Sequence, residues 1–393
     1  MQAAQRKYNA ILTGNDAVAV GAKLARVGFI SAYPITPQTT IVEKLAEMVA
    51  NREIQARYVE VESEHSALAA TFASELAGVR SYTATSSHGL LYMHEMLHWT
   101  AGMRLPVVMS VVNRALGPPW NIWTEQTDTM NQKDTGWLQV YCESNQEALD
   151  TILMGYRIAE SEKVMLPLMS MEDAFVLSHT SEPVSIPDQE DVDEFLPSLN
   201  LKFRVDTNNP MGYGSYSTPD GPFMELKKDM IESMKNSKNT IREVTRSFAE
   251  AFGRDYSGLI EEYAMEDADY ALIASGTLAS TGKYVVGKMR EAGKKVGLIR
   301  LRFFRPFPDE EIVEATKNLK GVGVLDRSVS YGSSGSIANE VKSSLYENSS
   351  IPVTGFVAGL GGRDVRIEEF EKMFDYVKRG KTGNYFIGDK EVI

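Results

Sequence analysis

The chain has 393 residues, enough for two domains with separate cores. Apolar residues make up 43% and charged residues 24%, an ordinary globular composition, and the formal net charge is −12. That charge, with no basic run or aromatic–basic interleaving, argues against nucleic acid as a partner. No apolar stretch approaches the ~20 residues that a transmembrane helix needs. Met1–Lys7 also lacks the apolar core of a signal peptide, so a cytoplasmic protein with no membrane contact is expected. A single cysteine, Cys142, can form neither an intrachain disulfide nor an iron–sulfur cluster. Any electron carriers therefore lie on other chains.

From the N-terminus, short apolar runs alternate with amphipathic stretches. Strands are predicted at 29–32, 58–61, 80–85, 106–112, 137–141 and 164–170, and helices at 16–27, 40–50, 66–77, 90–101 and 146–161. Such alternation implies βαβ units and a parallel sheet, an α/β fold. Thr39 and Thr40 suit an N-cap and first turn. From Ser181 to Pro222 six prolines fall with no sustained period, reading either as an ordered excursion around a neighbour or as a connector. Phe223–Phe252 carries Ile241, Val244, Phe248 and Phe252 at helical spacing. A second alternating unit follows, with strands at 270–274, 296–301, 323–325 and 353–357 and helices at 278–291, 309–318, 336–346 and 367–376. The expected division is 1–180, 181–266 as a linker with helices, and 267–393.

Three features converge. Tyr33-Pro34-Ile35-Thr36-Pro37, Ser63-Glu64 and Asn113-Arg114 each follow a predicted strand. In open α/β sheets ligands collect at the carboxyl ends of the strands. A hydroxyl, a carboxylate and a guanidinium would meet there, suited to a small carboxylate beside a cofactor. Other motifs are weaker. His94-Glu95-Met96-Leu97-His98 has zinc-protease spacing but no third ligand, and packing is the preferred reading. Gly276–Lys283 has five residues where a phosphate loop has four, and Tyr284 where that loop has Ser or Thr. Gly359–Arg363 reads as a turn or a backbone anion site, and Ser86-Ser87-His88-Gly89 as a cap or a set of amides for a ligand.

Those three features resemble the α-subunit of 2-oxoacid:ferredoxin oxidoreductases, the pyruvate synthase family. Arg305-Pro306-Phe307-Pro308, Leu325-Asp326-Arg327-Ser328 and Gly359–Arg363 extend the likeness, which runs from about Leu12 to about Phe374. It implies a pyrimidine-binding thiamine diphosphate domain followed by a transketolase C-terminal-like domain. In that family a carboxylate bonds N1′ of the aminopyrimidine, and Glu64 matches it. Arg114 and Thr36 match the residues that hold the substrate carboxylate. The resemblance also places Pro34, Ile35 and His88 beside Glu64 on the cofactor. Trp120 and Trp123 would favour a small acyl group, although Thr124–Thr127 depart from the run of pyruvate-specific members.

The diphosphate grip of thiamine enzymes, Gly-Asp-Gly with a downstream asparagine, is missing, since Gly388-Asp389 is followed by Lys390. The resemblance therefore implies thiamine diphosphate shared with a β-subunit, and no metal on this chain. Mg²⁺ and [4Fe–4S] clusters would lie on partner subunits of β, γ and δ type. Coenzyme A would be the co-substrate and ferredoxin the electron acceptor. Pyruvate is the expected substrate, a branched-chain or other 2-oxoacid the alternative, and a non-catalytic scaffold the third reading.

Overall fold

The computed structural model describes residues 7–214 and 216–390. Residues 1–6, which carry most of the N-terminal reading above, lie outside it. Two α/β units are built on separate sheets. The first has seven strands in the order Phe303–Arg305, Leu138–Tyr141, Leu168–Asp173, Val108–Asn113, Ser81–Thr85, Phe29–Ala32, Arg57–Glu60. All pairings are parallel except that of Phe303–Arg305, which joins Leu138–Tyr141 antiparallel from the other unit. The central strand Val108–Asn113 is buried along its whole length, as a parallel strand covered on both faces must be.

The covering helices start where the sequence supplies caps. Ser144 accepts the Glu147 amide to open Asn145–Ala159, and Thr13 forms a capping box with Asp16 to open Gly14–Leu24. These two helices pack together over the sheet, and Ile241, Val244, Phe248 and Phe252 of the long helix Phe223–Phe252 join their core.

Several boundaries differ from the sequence expectation for physical reasons. The helix after the Pro turn is Thr39–Ala50 and its cap position is Gln38, not Thr39. The Gln38 side chain is spent instead on the turn, accepting from the Ile35 amide and donating to the Ala84 carbonyl. The helix expected over 90–101 is two short ones, Ser87–Tyr92 and His94–Gly102, meeting at Met93. Within the proline-rich stretch, Glu182–Pro187 pairs antiparallel with Lys7–Leu12, and Gln189–Phe195 is helical.

The second sheet runs Gly383–Phe386, Val353–Val357, Gly321–Asp326, Tyr270–Ala274, Val296–Leu301, Ile260–Tyr263, parallel except for the last pairing. A buried ionic cluster joins the units. Arg300 pairs with Glu147 and Glu143, Arg302 pairs with Glu147 at 2.7 Å, and Lys283 bonds Glu143 at 2.6 Å. Lys283 is thus committed to carboxylates, which leaves the turn after Gly276 a strand-to-helix connection and not a phosphate loop.

Candidate functional site

Four adjacent parallel strands deliver their following loops to one edge of the first sheet. Phe29–Ala32 leads to Thr36, Arg57–Glu60 to Glu64, Ser81–Thr85 to His88, and Val108–Asn113 to Arg114. Strand order alone therefore gathers the residues singled out in the sequence.

Glu64 is the first residue of helix Glu64–Leu76, opened by Ser63, whose hydroxyl accepts the Ser66 amide. It is not a solvated loop acid: it is 9% exposed, and among the described residues its carboxylate has no hydrogen-bond or ion-pair partner. Gly89 lies against it. A Cβ at Gly89 would stand 2.7 Å from Cγ and Oε1 of Glu64 and from Oγ1 of Thr85, so only glycine allows this approach.

Arg114 is 3% exposed, and its guanidinium is already held. Nη1 donates to the Thr36 carbonyl at 2.7 Å, and the Trp120 ring lies 4.9 Å from Cζ, within cation–π range. Burial pushes the guanidinium below its ordinary value, opposed by Asp128. The structure thus joins Thr36 and Arg114 through the Thr36 main chain and leaves the Thr36 side chain on the exposed face. Pro34 is exposed and Ile35 half-buried in the same turn. His88 is also exposed, and its Nε2 accepts the Gly117 amide at 2.9 Å, which puts the neutral ring's proton on Nδ1.

A residue the sequence reading missed sits behind these loops. Asp128 is fully buried, and its Oδ2 accepts from the amides of Ser87 (3.1 Å) and Arg114 (3.0 Å). Its Oδ1 accepts from Asn113 Nδ2 (2.7 Å) and the Thr129 amide (2.8 Å). Burial pushes Asp128 up to about 7, against the pull of these four donors. The signal that could have found it is weak: one of two acids, with Glu125, in a Thr/Gln-rich segment. The same contact takes the Ser87 amide of the Ser86–Gly89 segment, which is a helix start.

The second unit braces the loop between Arg114 and Asp128. Gln126 donates its amide to the Arg327 carbonyl at 2.9 Å and accepts from Ser275 Oγ at 2.9 Å. Glu125 accepts the Gly361 amide at 3.1 Å, and Gly362 donates to the Thr124 carbonyl at 2.8 Å. Gly362 has φ +78°, and a side chain there would strike Trp123. The Gly359–Arg363 turn does bind an anion through its backbone, but the anion is this chain's own Glu125. Asp173, at the end of its strand, accepts from Thr124, Thr277 and Arg327. Burial pushes Asp173 up, and Arg327 with the Thr277 donors more than offsets it, so it ends below its ordinary value.

The histidine pair goes elsewhere. His94 Nδ1 lies 2.6 Å from Gln132 Oε1, and the His94 and His98 rings meet edge to face at 4.9 Å. No group of three His, Cys, Asp or Glu side chains able to hold a metal occurs among the described residues. No helix among them is long and apolar enough to cross a membrane.

Comparison with known proteins matches both units. Residues 20–246 fit the model of pyruvate flavodoxin/ferredoxin oxidoreductases, thiamine diphosphate-binding, and residues 268–370 fit core domain II of pyruvate:ferredoxin oxidoreductases. The ketoisovalerate oxidoreductase subunit VorA of Pyrococcus abyssi is 45% identical, over 94% of this chain and 93% of its own. The pyruvate synthase subunit PorA of Methanocaldococcus jannaschii is 46% identical, over 97% and 98%. Among solved structures, a 2-oxoglutarate:ferredoxin oxidoreductase from Magnetococcus marinus, with 2-oxoglutarate, coenzyme A and succinyl-CoA bound, shares the fold at a TM-score of 0.73 and 20% identity. That likeness covers 95% of this chain and 65% of the other. On these grounds the chain belongs to the pyruvate flavodoxin/ferredoxin oxidoreductase family, among the α-subunits of 2-oxoacid:ferredoxin oxidoreductases.

Proposed function

We propose that this chain supplies the pyrimidine-facing carboxylate and the substrate-carboxylate clamp of a multi-subunit 2-oxoacid:ferredoxin oxidoreductase. One observation carries the reading: Glu64 is buried without a hydrogen-bond or ion-pair partner among the described residues, beside a glycine that leaves room against it. A flat aminopyrimidine fits such a site, since burying a carboxylate without a hydrogen bond costs several kcal/mol and calls for a donor. Thiamine diphosphate bound there supplies a nucleophilic carbon for the ketone and an electron sink for decarboxylation. Glu64 holds the proton at N1′, with Pro34, Ile35 and His88 around it. Arg114 and the Thr36 hydroxyl hold the carboxylate of the 2-oxoacid, for which the planar guanidinium is suited.

In this reading residues 1–180 form the pyrimidine-binding unit, 181–266 an extended linker with helices, and 267–393 a transketolase C-terminal-like unit. The diphosphate and its Mg²⁺ fall to a β-type subunit, because Gly388-Asp389-Lys390 follows the edge strand Gly383–Phe386 of the second sheet. The [4Fe–4S] clusters, the coenzyme A site and the ferredoxin contact fall to β-, γ- and δ-type subunits in the cytoplasm. The overall reaction is oxidative decarboxylation of a 2-oxoacid to acyl-CoA and CO₂, the electrons passing to ferredoxin, or its reverse.

Pyruvate is the proposed substrate, because Trp120 stacked on Arg114 favours a small acyl group. A branched-chain 2-oxoacid is the second reading, favoured by the 78% exposure of Trp120, which leaves the indole free to turn aside. Specificity ratios of the reconstituted complex decide between them. The proposal expects kcat/KM for pyruvate above that for 2-oxoisovalerate by at least the ~10-fold that one or two methylenes are worth. The opposite order would replace pyruvate with the branched acid.

A further inference from the structure

Loops at the carboxyl ends of parallel strands usually form a ligand crevice. In the second unit those loops hold protein instead: the Gly276, Arg327 and Gly361 turns grip residues 124–127. The gripped segment ends in Asp128. One oxygen of this carboxylate takes the Ser87 amide, next to the His88–Gly89 pair that faces Glu64 and Gly117, and the Arg114 amide, which opens the clamp loop. Nothing in the chemistry of a 2-oxoacid requires a buried acid here, and Asp128 faces backbone amides and Asn113, not the exposed edge where Thr36 lies.

We propose that Asp128 is a positioning residue, through which the second unit sets the placement of Arg114 relative to Glu64. The proposal rests on the reading of Arg114 as the carboxylate clamp. Its physical basis is the pairing of donors on single oxygens. Oδ2 ties two loops from neighbouring strands, and Oδ1 ties the same carboxylate to Asn113 and Thr129. An asparagine of the same shape has one acceptor oxygen, so its amide group must face one pair of N–H donors and push that pair away. Displacements of about 1 Å at a positioning group can cost ~10²-fold in rate.

The test uses the assembled complex with Asp128→Asn, Arg114→Ala and the double variant, with KM and kcat measured for the 2-oxoacid. Asp128→Asn is expected to raise KM about 10- to 100-fold with a smaller fall in kcat. In the Arg114→Ala background it should raise KM less than about 3-fold, because the clamp it positions is gone. If Asp128→Asn does not assemble, Asn113→Ala removes one of the four donors and carries the same comparison, with a smaller KM rise that again vanishes without Arg114. A KM effect of equal size in both backgrounds, or no KM effect of either variant in a complex that responds to Arg114→Ala, overturns the inference alone. An unchanged KM in Arg114→Ala overturns the clamp reading on which it stands.

Discussion

Arg114 arrives at the site with part of its hydrogen-bonding capacity spent, one Nη on the Thr36 carbonyl, and with its guanidinium beside the Trp120 indole. In the proposed function, removing the guanidinium leaves the substrate carboxylate without its charged partner beside the buried Arg114 position. Arg114→Ala should therefore cost roughly 2–5 kcal/mol in kcat/KM. Thr36→Val loses one hydroxyl donor to a charged group and should cost about 1.5–3 kcal/mol. Because Arg114 also rests on the Thr36 main chain, the two effects should not add. Strict additivity would place the carboxylate elsewhere.

A second residue-scale expectation concerns Glu172. It is 2% exposed, and among the described residues neither carboxylate oxygen has a hydrogen-bond partner. Burial, reinforced by Asp173 and Asp16, pushes it up to about 8. The folded value lies above the unfolded one, so the contribution to stability is fully present below about pH 4.5 and is lost as pH rises through 8. Glu172→Gln should then gain in Tm relative to the parent between pH 6 and 9, by up to about 4 kcal/mol in stability. Parallel Tm curves for the two proteins would show that Glu172 has an unrecorded partner. Glu64, Thr36 and Arg114 could be singled out in the sequence because each follows a predicted strand, and the family resemblance supplied their proposed roles. Asp128 and Glu172 could not, because their chemistry depends on burial by segments distant in the chain.

At the scale of elements, the contact between helices Glu64–Leu76 and Ser87–Tyr92 sets the room around Glu64. Gly89→Ala would place a methyl 2.7 Å from the Glu64 carboxylate. It should lower stability by about 1–3 kcal/mol through overpacking and weaken thiamine diphosphate binding in the complex. Unaltered cofactor affinity, measured by titration calorimetry, would mean that Gly89 does not border the pyrimidine. Elements of this kind were read well wherever period and length agreed: Phe29–Ala32, Tyr270–Ala274, Val296–Leu301 and Val353–Val357 stand where expected. The reading failed where tertiary pairing decides. Phe303–Arg305 is a three-residue strand only because Leu138–Tyr141 offers an open edge. Gln38 replaces a threonine cap because the turn needs its amide group. The break at Met93 carries no Pro or Gly to announce it.

At the scale of the molecule, two sheets share one purpose. The second unit donates an edge strand to the first sheet, closes a buried ionic cluster with it, and seats the loop that carries Arg114 toward Asp128. Thr36, His88 and Trp120 share an exposed face, where the proposed function would seat the subunit that carries the diphosphate motif this sequence lacks. The central claim is that Glu64 performs the proton work of a site another subunit completes. It is tested most directly by the rate of C2–H exchange on thiamine diphosphate bound to the assembled complex, parent against Glu64→Gln. Glutamine cannot share a proton with N1′, so exchange should fall by ~10²–10⁴-fold while assembly and cofactor occupancy hold. Exchange at the parent rate in a fully loaded Glu64→Gln complex would contradict the account.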